Sequence, residues 1–262
     1  MLDIVSFLTQ IPVRKDVKIE TVAAKSYLFP FAALLIGLLV ATVAFVSFGF
    51  LVSAPEIAAL LVLLAIYLVT GLMHLDGLAD FFDGIMTSGS RREKIRAMKD
   101  EKIGIAGLFA AVFVILLSFF AIETVCTDLT KSSHSFDLRS FYYFASVFVI
   151  AEVSAKMSMN TCILLGKRKG SDANEGIGAL FINSCSKSKY TVALVSSILI
   201  ALIFTAQRFS FRFFIVSTGI AVAIFVSYIA KYKFGAVSGD IIGASNELAR
   251  CATLLIWAIF IL

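Results

Sequence analysis

Seven apolar runs, at roughly 28–52, 57–75, 104–122, 141–165, 189–207, 212–230 and 247–262, set the terms on which this chain can fold. Each is about long enough to carry a helix across the ~30 Å hydrocarbon layer of a bilayer. The sequence therefore predicts an all-α, polytopic integral membrane bundle of about seven transmembrane helices, forming a single membrane-embedded domain over residues 1–262. With 60% hydrophobic residues, 16% charged ones and 25 phenylalanines, the chain lies far outside the composition of a soluble domain. The second run passes straight into a group of aspartates and the last carries Arg250, so either is open to being tilted, broken or re-entrant.

Lysine and arginine set the expected orientation, because cytoplasmic loops hold an excess of them. Arg14, Lys15, Lys18 and Lys25 precede the first run; Arg91, Arg92, Lys94, Arg96, Lys99 and Lys102 follow the second; Lys167, Arg168, Lys169, Lys187 and Lys189 follow the fourth. The alternate loops offer Glu56, then Lys131 and Arg139, then Arg208 and Arg212. This asymmetry predicts a multi-pass cell-membrane protein with a cytoplasmic N-terminus and an external C-terminus. The net charge of +5 is then a topology signal, with no nucleic-acid partner implied. The lipid bilayer is the implied partner, and a homo-oligomer is compatible with the composition.

Cys126, Cys162, Cys185 and Cys251 show no paired or metal-ligand spacing, which predicts free structural thiols. The opening MLDIVSFLTQIPV has no basic n-region, so a removable signal peptide is not expected. Ile4, Val5, Leu8 and Ile11 share one helical face, which suits a short helix on the membrane surface.

The stretch HLDGLADFFDG, residues 74–84, holds Asp76, Asp80 and Asp83. On a helix these fall within roughly 60° of arc, so three carboxylates converge. At ~6 Å and an effective dielectric near 20, each like-charged pair costs roughly 3 kcal/mol. A hard divalent cation such as Mg²⁺ offsets that repulsion and commonly joins protein acids to substrate phosphates. Solvated acids at the start of a loop are the plainer alternative. His74 reads either as a base or second-shell partner, or as a hydrogen-bonded interfacial histidine.

Downstream, Ser90 and Glu93 form a capping-box pattern for a short helix. Arg91 and Arg92 fit topology and anionic lipid, whereas Arg96, Lys99 and Asp100 fit equally well as contacts to an anionic substrate. In FGAVSGDIIGASNE, residues 234–247, glycines recur around Asp240 with Glu247 on the same face, a candidate second metal or substrate ligand set. Glu152, Lys156 and Asn160 form one polar stripe inside the fourth run and should face the bundle, as an ion pair or as the wall of a cavity. The loop GKRKGSDANEGIG, residues 166–178, suits either phosphate contact or ordinary cytoplasmic charge; His134 carries no signal.

GLMHLDGLADFFDG followed by MKDEKIG resembles the signature of the cobalamin synthases, the adenosylcobinamide-GDP ribazoletransferases. FLTQIPV at 7–13, EGIGALF at 175–181 and SGDIIGASNEL at 238–248 are similar to further family segments in the same order, so the resemblance covers almost the whole chain. It implies a Mg²⁺-dependent membrane enzyme that joins adenosylcobinamide-GDP to α-ribazole, or its 5′-phosphate, and releases GMP on the cytoplasmic side. By motif it carries over to His74, Asp76, Asp80 and Asp83; to Lys99, Asp100 and Gly104; and to Gly239, Asp240, Gly243 and Glu247. Asp76, Asp80 and Asp83 would hold Mg²⁺, with one acid, Asp83 in the first instance, taking the hydroxyl proton while Arg96 or Lys99 steadies GMP. Lys102, Ala236 and Arg250 depart from the family pattern, and Arg250 is given no family role. Two rivals stand beside this reading. A CDP-alcohol phosphatidyltransferase-like enzyme would need an Ala-Arg pair where Ala79-Asp80 stands, and a cation transporter would need acids near the midplane of several spans.

Overall fold

The computed structural model describes residues 1–13, 16–131, 137–167, 176–205 and 215–260. Arg14, Lys15, His134, Arg168, Lys169, Arg208, Arg212 and most of the 166–178 loop lie outside the described residues. Every regular element described is helical, as the apolar runs predict.

Among the described residues the apolar runs fall on α3 (Phe29–Phe50), α4 (Pro55–Thr70), α7 (Ile105–Lys131), α8 (Leu138–Gly166), α10 (Lys187–Thr205), α11 (Ser217–Lys233) and α12 (Gly239–Ile259). Of these, α3, α7, α8 and α10 are long and apolar enough to cross a membrane by themselves. α4 reaches that measure only together with α5 (Met73–Met86), from which it is bent by 93°. α11 is 17 residues long. α12 carries Asp240, Glu247 and Arg250, and starts at Gly239 rather than at 247. The long polar start of α12 is helical because Ser238 caps it, accepting from the Ile241 amide, and because α8 supplies its polar side chains with partners.

α8 is the axis of the fold, buried on almost every face between Phe144 and Ile163. α3 crosses it antiparallel, with Gly37 so close that a Cβ there would lie 2.8 Å from the Val149 backbone nitrogen. Small residues at such crossings let helices gain packing that lipid cannot match. Phe45 packs edge-on to Phe141, and Phe48 to Phe144, further along the same seam.

The helix ends nearest α5 collect the remaining short elements. α1 (Leu2–Leu8) buries Ile4, Val5 and Leu8, as their shared face predicts. That face covers protein rather than a membrane surface, because Phe7 packs on Phe181 of α9 (Ile177–Ser184) and Leu8 is fully enclosed in the core. α2 (Ile19–Ala24) and α6 (Arg91–Met98) complete this end. Both halves of the predicted capping box start α6: Ser90 N donates to Glu93 Oε2 at 2.6 Å, and Glu93 N to Ser90 Oγ. All four cysteines are free and buried.

The bend between α4 and α5 turns on Gly71, at φ 71° and ψ −175°. That conformation is essentially open only to glycine. The N-terminal segment braces the bend, with the Gln10 amide donating to the Val69 carbonyl at 2.8 Å. A helix with His74, Asp76, Asp80 and Asp83 in 14 residues, set across the end of α4, is too short and too polar to cross a membrane by itself.

Candidate active site

α5 is wedged between α12 and the start of α7. Gly77 rests on the backbone of Asp240, where a Cβ would lie 2.8 Å from the carbonyl oxygen, and Gly243 rests on His74. These contacts fix Asp240 beside the aspartate helix. The motif segments at 74–104, 176–181 and 234–247 therefore meet at one end of the bundle, although they are far apart in sequence.

The aspartates do not share one fate. Asp76 is exposed and Asp80 half-buried. Asp80 is pushed up to about 7, first by burial and then by the charges of Asp76, Asp240 and Asp83 around it. Asp83 instead spends both oxygens on the first turn of α7: Oδ2 accepts from the Gly104 amide and Oδ1 from the Gly107 amide, each at 2.8 Å. A carboxylate at a helix N-terminus satisfies otherwise orphaned amides and meets the positive end of the helix dipole. With both oxygens engaged on α7, Asp83 serves as an anchor, and the expectation that it takes the hydroxyl proton gives way to that role.

His74 leaves the acid stripe altogether. Standing two residues before Asp76, it points roughly to the opposite side of α5, where it is 2% exposed. Burial, then the charges of Lys156 and Arg250, push it well below its ordinary pKa, so it is a neutral imidazole. Among the described residues neither ring nitrogen has a hydrogen-bond partner. An unmet donor in such surroundings costs about 1–3 kcal/mol. His74 lines a cavity of about 220 Å³ with Phe7, Phe181, Ile163, Ile242 and Asp240.

Arg96, Lys99 and Asp100 line a separate open basin of about 560 Å³ with Arg92 and Lys102. Asp100 is exposed and uses one oxygen on its own loop, accepting from the Lys102 amide at 3.0 Å. Lys99 is near enough for its charge to act on Asp240, so the basin borders the acidic cluster.

Glu247 is not at the opening. It belongs to a closed ion network inside the bundle, where Arg250 Nη1 donates to both of its oxygens at 2.7 and 2.9 Å. Arg250 Nε also donates to Glu152 at 2.6 Å; Lys156 reaches Asn246 at 2.7 Å and Glu152 at 3.4 Å; Tyr67 donates to Glu247 at 3.3 Å. The predicted stripe of Glu152, Lys156 and Asn160 does face inward, but as part of this network. Two cations balance two anions there, which makes their burial tolerable. A transporter path would need Glu152 free. Sequence reasoning missed Arg250 as its partner, although a lone arginine near the start of an apolar run was a signal that it needed one.

Among the described residues no three of His, Cys, Asp and Glu converge into a ready-made metal cage. The donors at the opening are carboxylates alone, and Asp80 is held in a field of three other acids. That set fits Mg²⁺ bound through one or two carboxylates, with waters and substrate phosphate completing its shell. It does not fit a soft or all-protein metal site.

A profile of the family described as cobalamin-5-phosphate synthase matches residues 1–258. The chain belongs to the cobalamin-5-phosphate synthase family. The adenosylcobinamide-GDP ribazoletransferase of Methanocella arvoryzae is 35% identical to it, over 95% of this chain and 91% of that protein. The enzymes of the same name from Pyrococcus abyssi and Methanococcoides burtonii are 33% and 31% identical, covering 98% and 97% of this chain and 96% and 90% of theirs. No solved structure matches the chain.

Proposed function

We propose that this chain transfers the adenosylcobinamide-phosphate group of adenosylcobinamide-GDP to the 5′-hydroxyl of α-ribazole or its 5′-phosphate. The products are adenosylcobalamin, or its 5′-phosphate, and GMP. The hydroxyl oxygen bonds to the phosphorus attached to cobinamide, the bond from that phosphorus to the GMP oxygen breaks, and the hydroxyl proton passes to a carboxylate. Positioning and charge neutralisation supply most of the acceleration in such transfers.

Asp76 and Asp80 are the residues that would hold Mg²⁺, which when bound neutralises the diphosphate and the leaving GMP. Asp240, which lines the His74 cavity and lies within range of the Asp76 charge, would take the hydroxyl proton in this reading. Asp83 fixes α5 to the start of α7, so the other carboxylates keep their positions. Lys99 and Arg96, on the wall of the basin, meet the departing nucleotide. The active site faces the cytoplasm, where a nucleotide-activated substrate is available and where the basic loops are expected.

The observation that carries this reading is Asp80 held among Asp76, Asp240 and Asp83 at a boundary opening bordered by Lys99. Membranes containing the chain, given Mg²⁺, adenosylcobinamide-GDP and α-ribazole, should release GMP and form adenosylcobalamin. No GMP with any divalent cation would remove the assignment.

A further inference from the structure

The cavity behind the acidic cluster has none of the basin's cationic character. Phe7, Phe181, Ile163 and Ile242 make its walls apolar. Phe7 and Phe181 stand with ring centroids 5.4 Å apart, so a flat ring entering here meets an aromatic wall. At about 220 Å³ it is smaller than the common range for drug-sized ligands, about 300–1,000 Å³. It suits one two-ring heterocycle and excludes a corrin macrocycle or a whole guanosine diphosphate.

Two polar residues break the apolar lining. His74 is 2% exposed and, among the described residues, neither of its nitrogens is partnered. An imidazole ring carries an N–H donor in either protonation state, so it can meet an in-plane ring nitrogen of a guest. Asp240 is the second. It lines the cavity and also lies within reach of the charges of Asp76 and Lys99, which makes the cavity and the acidic cluster neighbours through one residue.

We infer that this cavity is the acceptor subsite: it takes the benzimidazole base of α-ribazole against the Phe7–Phe181 wall, and the free ring nitrogen of the base accepts an N–H from His74. The sugar then extends past Asp240 toward the acidic cluster. His74 is thereby a substrate-binding residue, acting on the base and not at phosphorus. This inference rests on the ribazole-transfer reading above.

The test uses the full chain in detergent micelles and follows GMP release with each substrate varied in turn. His74→Phe should raise the KM for α-ribazole about tenfold, the scale of one lost hydrogen bond. The KM for adenosylcobinamide-GDP should stay within about twofold, and His74→Gln, which keeps an N–H donor, should recover most of the loss. Ile242→Trp, which fills the cavity, should give the same selective rise. Calorimetric binding of α-ribazole alone should weaken in parallel in His74→Phe. An active enzyme whose α-ribazole KM and binding are unmoved by both His74→Phe and Ile242→Trp would overturn the subsite while leaving the transfer reaction intact. So would a rise confined to adenosylcobinamide-GDP, or a co-purifying acyl chain in the cavity that α-ribazole does not displace. Absence of GMP release from the unsubstituted chain would instead count against the reaction itself.

Discussion

The carboxylate of Asp83 closes on the amide of Gly104, Oδ2 to N 2.8 Å, across 21 residues of chain. Its other oxygen takes the Gly107 amide, so one aspartate of the cluster serves as the cap of α7. A Cβ at Gly104 would strike this same carboxylate, which explains the glycine there.

Asp83→Asn replaces one accepting oxygen with an amide that opposes an N–H. Hydrogen bonds to charged groups contribute about 1.5–3 kcal/mol each. The variant should therefore lose about that much stability in thermal or denaturant unfolding in micelles, while Asp76→Asn loses little. Equal stability of the two variants would contradict the anchoring role.

Asp76→Asn and Asp80→Asn should each lower kcat by at least about 100-fold, with the protein still membrane-inserted, because each removes a carboxylate that would hold the Mg²⁺ neutralising the diphosphate. Mg²⁺ titrations of activity check this. Near-normal turnover in both would end the metal assignment.

Asp80 has a folded-state value of about 7 against an ordinary 3.8, raised first by burial and then by Asp76, Asp240 and Asp83. Folding thus favours its protonated form: the contribution to stability is fully present below about pH 4 and is lost as pH rises through 7. Mg²⁺ competes with that proton, so it should raise Tm more at pH 8 than at pH 6. The same Mg²⁺-dependent shift at both values would show that Asp80 does not bind the ion.

Arg250 joins Glu152 to Glu247 with three hydrogen bonds of 2.6–2.9 Å. Arg250→Met should cost about 3–5 kcal/mol, since it strands two buried carboxylates. Adding Glu152→Gln and Glu247→Gln should restore much of it. Unfolding of the single and triple variants in micelles distinguishes this from a simple loss of packing.

Much of the architecture was legible in the order of residues. The apolar runs match the helices that cross the bundle; Ser90 and Glu93 cap α6; the stripe of Glu152, Lys156 and Asn160 faces inward. Each of these depends on neighbours within a turn or two of helix, so periodicity and local capping chemistry suffice to read them. The aspartate motif likewise marks the candidate site, because three acids beside apolar runs call for a compensating charge.

Partner choice was not legible. Nothing local says that Asp83 binds the start of α7 while Asp80 stays among the acids, that Glu247 turns from the opening to Arg250, or that His74 faces a cavity walled by α1, α8, α9 and α12. Those outcomes follow from where α5 crosses its neighbours, which is set by the 93° turn at Gly71 and the close approach of Gly77 and Gly243 to α12. The chain alone determines which segments are helical and which side chains need a partner; only the crossing of helices distant in sequence decides which partner each one meets, because that choice rests on contacts between backbones rather than along one.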